Sequence, residues 1–218
     1  MAHSNTILHQ LLQLVPRHRF ENLVRAHQAD RYVKRFDTWN QFTTLLYAQA
    51  GEKTSLRDIE QGLAAHGNRG YHLGLQSSVR RSTLADANAK RDWRVYEGLF
   101  YAILARCRDL TPKHKFRFKN PLHSLDATTI ELCLSLHDWA VFRATKGAVK
   151  LHVKLNHAGY LPTFATMTTG RVHEQKAAWT VPFEKGDVVV FDRGYASLAW
   201  YKSLVDKDVF FVTRLKRG

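Results

Sequence analysis

Apolar positions recur at a helical interval through the first hundred residues and at a strand interval after them. Ile7, Leu8, Leu11, Leu12 and Val15 lie on one helical stripe that Pro16 stops, and Phe20, Leu23, Val24 and His27 begin a second. Thr38 is expected to cap a third helix, carrying Trp39, Phe42, Leu45 and Leu46 and closed by Gly51. Ser55 and Asp58 resemble a capping box for a fourth, and Ser82 is placed to cap another running through Ala89. Tyr96, Leu99, Phe100, Ile103 and Leu104 predict one more amphipathic helix. Short helices on short turns suit a helix-turn-helix module, and suit a plain helical bundle equally well.

From about Pro121 the period becomes two. Ser124–Ile130 begins a strand, and Val149–Leu155 alternates strictly, which predicts a half-exposed strand with Lys150, His152 and Lys154 outward. Asn156–Gly159 reads as a turn, with Leu161–Thr168 returning as a hairpin. A helical stretch from His173 to Trp179 precedes Val188–Phe191, a continuous apolar run expected to be a strand buried on both faces. That run ends in Asp192, Gly194 permits a sharp exit, and a helix toward Lys207 and a last strand Val209–Leu215 follow.

The predicted order is β-β-β-α-β-α-β, an α/β mixed sheet of RNase H-like type preceded by an all-helical N-terminal domain. The expected organisation is a helical domain 1–75, a basic helical DNA-binding or linker region 76–120, and an RNase H-like region 121–218. In such a sheet the first and fourth strands are parallel neighbours, so Asp126 and Asp192 would meet across one ladder spacing. Two carboxylates at one sheet edge repel and call for a hard divalent cation, Mg²⁺ or Mn²⁺. The alternatives are an N-cap role for Asp192 and a turn or hydrogen-bonding role for Asp126.

Charge adds a partner to this picture. The 218 residues carry 33 Lys and Arg against 19 Asp and Glu, a formal +14, which favours a polyanion and nucleic acid first. Between Arg80 and Lys119 eleven basic residues face four acids, and Thr111–Pro121 alternates basic with aromatic residues in a way that suits phosphate contact and base stacking. Candidate DNA contacts are Arg80, Arg81, Lys90 and Arg91 there, with Arg143, Lys146, Lys150 and Arg193 near the acids. No apolar stretch approaches a membrane span, so a cytoplasmic, nucleoid-associated protein with no membrane partner is expected. Cys107 and Cys133 fit reduced thiols better than a disulfide or a zinc site.

The stretches Leu125–Ser135, Trp139–His152 and Phe191–Tyr195 resemble the catalytic domain of DDE transposases of the insertion-sequence 4 family, and the N-terminal part resembles the small helical domain that commonly precedes it. The resemblance implies that Asp126 and Asp192 are the first two acids of a triad acting with Mg²⁺ on double-stranded DNA at element ends and target, in a chain able to form a homodimer. The family's third acid, a glutamate in a Tyr/Arg/Glu/Lys signature, has no counterpart before Gly218, and the chain therefore resembles a truncated transposase. Three activities remain open: DNA cutting and joining, a non-catalytic DNA-binding fragment that occupies element ends or inhibits full-length subunits, and an RNase H-like nuclease.

Overall fold

The computed structural model describes residues 6–67, 70, 75, 78–108, 110–111, 115–132, 141–143 and 146–214, with side chains of 131–132, 141–143 and 146–147 excepted. The chain divides into two compact units, 1–105 and 106–218. No helix among the described residues is long and apolar enough to cross a membrane.

The first unit is helical: α1 (Ile7–Leu14), α2 (Arg17–Ala26), α3 (Thr38–Ala50), α4 (Leu56–Ala65), α5 (Arg81–Lys90) and α6 (Arg94–Arg108), whose last turn passes the boundary. One core gathers Leu8 and Leu12 with Ile59, Leu63, Leu84 and Ala87, and a second gathers Val15 and Phe20 with Val95 and Leu99. Trp39 and Phe42 of α3 touch both, and Phe20 meets the Trp39 ring edge-on at 5.3 Å. Gly98 is required where α2 meets α6, since a Cβ there would stand 2.5 Å from Leu23 Cδ2. α5 and most of α6, which the sequence set apart in a 76–120 region, are thus built into the first unit's cores.

Two caps differ from expectation. Asp37, not Thr38, caps α3, accepting from the Asn40 backbone N–H at 2.7 Å, while Thr38 is buried and bonds to Asp30 through both its N–H and its hydroxyl. α5 starts at Arg81, with Arg80 at the N-cap position and no side-chain cap, so Ser82 plays no such part. Ser55 does cap α4, accepting from Asp58 N at 3.1 Å. Most of the glycine-rich stretch 67–74 lies outside the described residues, as does Cys133; Cys107 is a free thiol.

The second unit is a six-stranded mixed sheet: β1 (Leu122–Leu132), β2 (Val141–Arg143), β3 (Lys146–Asn156), β4 (Leu161–Thr169), β5 (Val188–Phe191) and β6 (Phe210–Thr213), with α7 (Glu174–Ala178) before β5 and α8 (Leu198–Asp206) after it. β3 lies antiparallel between β1 and β4, β1 is parallel to β5, and β5 is parallel to β6. This is the expected α/β connectivity with one addition, the short β2 that pairs with the start of β3. Leu125, Val189 and Phe191 pack with Ala178, Tyr195, Trp200 and Leu204, so α7 and α8 cover one face.

Which face they cover reverses the reading of β3. His152 and Lys154 are buried and Lys150 is bonded to α7, because all three share the face of Leu125, which pairs with Lys154 in register. The polar groups are tolerated inside because each has a partner: Lys154 donates to Pro182 O at 2.7 Å and pairs with Asp187 at 3.5 Å, and its ammonium lies 4.6 Å from the Phe183 ring centroid. The other face is left apolar and open, with Val190, Met167, Phe210 and Val212 between 39% and 66% exposed. β5 is therefore covered on one face only, not on both.

At the start of β5, His123 and Asp187 are both buried, with Nε2 and Oδ1 3.4 Å apart. Burial, with the nearby Lys154 ammonium, lowers the His123 pKa to about 4. A histidine that titrates lower in the folded chain takes up its proton first when unfolded, so stability falls as pH drops from about 6.5 towards 4. We expect the wild type to lose up to about 3 kcal/mol of unfolding free energy over that range from this group. Urea titrations at several pH values should show that part of the loss disappearing in His123→Gln.

Candidate active site

Four residues of β1 run parallel to β5, and the last pair in register is Leu125 with Phe191. The next residue in each case is an acid, Asp126 within β1 and Asp192 just past the end of β5. Adjacent strands stand about 4.8 Å apart, and the register brings the residues before the two acids level with each other. Asp126 is exposed within β1, and its Oδ1 accepts from Ala127 N at 2.8 Å. Asp192 ends β5 and caps a 3₁₀ turn, Arg193–Tyr195, its Oδ1 accepting from Gly194 N at 2.9 Å. The capping role weighed against a chemical one is thus real, and it engages only one oxygen.

Glu174, the first residue of α7, meets Asp192. Its Oε1 accepts from Lys150 Nζ at 3.1 Å, and its Oε2 leans over Gly194. A Cβ at Gly194 would stand 1.9 Å from Glu174 Oε2 and 3.0 Å from Asp192 Oδ1, so the two carboxylates meet above this glycine and a side chain there would push them apart. Lys150, His173, Glu174, Gln175, Asp192 and Arg193 line an open hollow of about 690 Å³.

Beneath the hollow a buried hydrogen-bond chain ties the turn to the sheet. The Tyr195 hydroxyl lies 3.0 Å from His152 Nδ1, and His152 Nε2 lies 3.0 Å from Thr168 Oγ1. A hydroxyl donating to Nδ1 and an Nε2–H donating to Thr168 satisfies all three groups with a neutral imidazole. Burial, the largest cause, lowers the His152 pKa and keeps that neutral form. Burial likewise raises the Tyr195 pKa, and the negative charges of Glu174, Asp126 and Asp192 raise it further.

The basic candidates fare unevenly. Arg193 is exposed at the rim of the hollow, whereas Lys150 is engaged by Glu174. Arg143 closes β2 and Lys146 opens β3, with side chains outside the described set. Arg80 and Arg81 are exposed at the start of α5, and Lys90 is exposed beside Asp86 at 3.5 Å. Arg91 is not available to a ligand: its side chain is 7% exposed and donates to Phe36 O, to Asp37 O at 3.0 Å and to Gln41 Oε1 at 2.9 Å. Glu174, His152 and Tyr195 were not singled out as site residues from sequence. The one available signal was an acid opening a helix between the two relevant strands.

The donor set is all carboxylate oxygen, the hard type Mg²⁺ and Mn²⁺ prefer. Among the described residues no group of three or more His, Cys, Asp or Glu is close enough to hold a metal ion. Asp126 and Asp192 alone fit Mg²⁺, which is commonly held by one or two carboxylates with water and substrate phosphate completing its shell.

The frame of the site is a mixed α/β sheet with one acid within β1 and another just after the parallel β5. Residues 118–218 match the family described as transposase DDE domain, and residues 3–76 match a domain of unknown function (DUF4372). A protein of Sinorhizobium fredii named "Putative transposase y4zB" is 31% identical over 133 residues, 61% of this chain and 36% of that one. One of Geobacillus stearothermophilus, named "Probable transposase for insertion sequence element IS5377", is 27% identical over 135 residues, 62% of this chain and 35% of that one. The matches thus span about a third of the length of these curated relatives. Residues 118–218 thus resemble a transposase DDE domain. A piggyBac transposase synaptic complex with hairpin DNA aligns over the whole chain and 53% of its own, with a TM-score of 0.46 and 11% identity, too distant to add weight.

Tyr195→Phe removes the hydroxyl and leaves buried His152 Nδ1 without its partner, which should cost about 1–3 kcal/mol in urea denaturation. An unchanged unfolding free energy would show that the bond contributes nothing.

Proposed function

We propose that this chain carries the paired acids of an insertion-sequence transposase that hydrolyses a phosphodiester at the element ends and transfers the freed strand to target DNA. The observation that carries the reading is the parallel β1–β5 register, whose last pair, Leu125 with Phe191, immediately precedes Asp126 and Asp192. In this reading the two acids hold Mg²⁺ or Mn²⁺. When bound, the cation supplies activation of the attacking oxygen and charge stabilisation on the leaving one.

The chain's own residues do the rest. The Gly194 N–H and the 3₁₀ turn fix the Asp192 carboxylate, and Tyr195 anchors that turn to β3 through His152. Arg193 at the rim meets a backbone phosphate, and Arg143 and Lys146 lie on neighbouring strands to extend that contact. Glu174 holds Lys150 and crowds Asp192 from the other side. Double-stranded DNA is the partner, a homodimer the working assembly, and the bacterial cytoplasm and nucleoid the location.

A second reading has its own support. No three acids cluster among the described residues. A chain with two acids can bind DNA at element ends, or pair with longer subunits and inhibit them, without cutting. Plasmid nicking separates the two. We expect Mn²⁺- or Mg²⁺-dependent nicking that Asp126→Asn and Asp192→Asn each reduce at least ~100-fold, in line with the loss of a group acting on transition-state charge. Intact DNA binding with no nicking in either metal would favour the non-catalytic reading.

A further inference from the structure

The loop between α2 and α3, Gln28 to Phe36, sorts its charges by side. Both acids next to α3 are turned inward: Asp37 caps the helix, and Asp30 accepts from the Thr38 N–H and hydroxyl at 2.7 Å each. The cations point outward. Arg31, Lys34 and Arg35 are exposed, and no acid pairs with any of them among the described residues. Arg31 is held only by neutral groups, donating to Gln28 Oε1 at 3.3 Å and to the Tyr32 hydroxyl at 3.0 Å, with its guanidinium 4.9 Å from the Tyr32 ring centroid. Its full charge is presented to solvent.

The loop is built, not loose. Gln28 and Tyr32 both have positive φ, 48° and 63°, a conformation that costs non-glycine residues free energy and needs support. That support comes from below, where buried Arg91 donates to the carbonyls of Phe36 and Asp37 and pairs with Asp30 at 3.7 Å. Successive turns, Arg31 N to Gln28 O and Val33 N to Asp30 O at 3.0 Å each, fix the backbone. Between this loop and α5 lies an open hollow of about 690 Å³, walled by Arg31, Lys34 and Arg35 of the loop and by Lys90, paired with Asp86, and Asp92. A preorganised row of uncompensated cations over an open hollow costs little ordering on binding.

We infer that this loop face is a docking surface for the phosphate backbone of double-stranded DNA, contacting it without reading sequence. The inference rests on the DNA-acting reading of the second unit and adds to it a holding surface on the first. Arg31 and Arg35 present planar guanidinium forks suited to phosphate, Lys34 adds a point charge, and the chain's net +14 supplies a long-range field that favours a polyanion over a short acidic segment.

Fluorescence anisotropy of the full chain on a labelled duplex, in EDTA and across a KCl series, tests this. Arg31→Ala/Lys34→Ala/Arg35→Ala should weaken binding at least ~10-fold at low salt and reduce the slope of log affinity against log salt by about 2–3. The exchange Arg31→Lys/Lys34→Arg/Arg35→Lys should keep the wild-type slope, and unchanged circular dichroism and melting should accompany both. Arg57→Ala, a like charge on α4, should cost far less per charge removed. If the triple alanine variant binds as the wild type does, or if Arg57→Ala costs as much per charge, the inference is overturned while the DNA-acting reading stands. Failure of the wild type to bind duplex at all removes both. Loop-dependent binding of poly-glutamate with no loop dependence toward DNA would overturn the inference in favour of an acidic protein partner.

Discussion

The parallel pairing of β1 with β5 is the constraint on which the candidate site depends. The two acids arise in different local settings: Asp126 lies within an antiparallel ladder to β3, and Asp192 caps a 3₁₀ turn beside Glu174. Only the four-residue register from Leu122 opposite Val188 to Leu125 opposite Phe191 places them together. That register is held by packing, since Leu125 and Phe191 share one core with Tyr195, Trp200 and Leu204. A one-residue slip would turn Leu125 or Phe191 out of that core, so hydrophobic burial fixes the positions of the acids.

Much of this was legible in the chain. The change of period near Pro121, the β-hairpin after Asn156 and the apolar run ending in Asp192 all follow from residue types whose local preferences agree with the tertiary structure. What sequence misjudged was the sign of an alternation. In Val149–Leu155 the alternation predicts Lys150, His152 and Lys154 facing solvent, yet they face α7 and the core, because Glu174, Tyr195, Pro182 and Asp187 satisfy them. Period two identifies a strand; it does not identify the covered face when partners for the polar side come from far along the chain. The same error hid His152, Tyr195 and Glu174. Their meaning appears only once β3, α7 and the turn after β5 meet.

The helical unit shows a parallel limit. Its helices and most of its stops were readable from spacing, Pro16 and Gly51, since capping and hydrophobic stripes are local. The role of Arg91 was not. Its place in a basic run suggested a DNA contact, and its burial follows from carbonyls more than fifty residues earlier that need a donor. Charge counting also passed over Arg31, Lys34 and Arg35, because in sequence they stand beside Asp30 and Asp37, which appear to balance them. Only the inward turn of both acids leaves the loop's outer face positive.

The two acids at the sheet end differ from an ordinary surface pair in how their oxygens are used. Bringing two carboxylates to neighbouring positions is unfavourable, and exposure to water at both residues softens that repulsion without removing it. Each Oδ1 takes a backbone N–H, from Ala127 and from Gly194, which offsets part of the cost and fixes the orientation of each group. Each Oδ2 is left without a hydrogen-bond donor from the described residues. Two oriented carboxylates with one free oxygen apiece, set on neighbouring strands by a hydrophobic register, make an arrangement that a hard divalent cation would stabilise more than any monovalent side chain could. Lys150 of β3 is already engaged by Glu174, so its ammonium does not serve as their counter-charge.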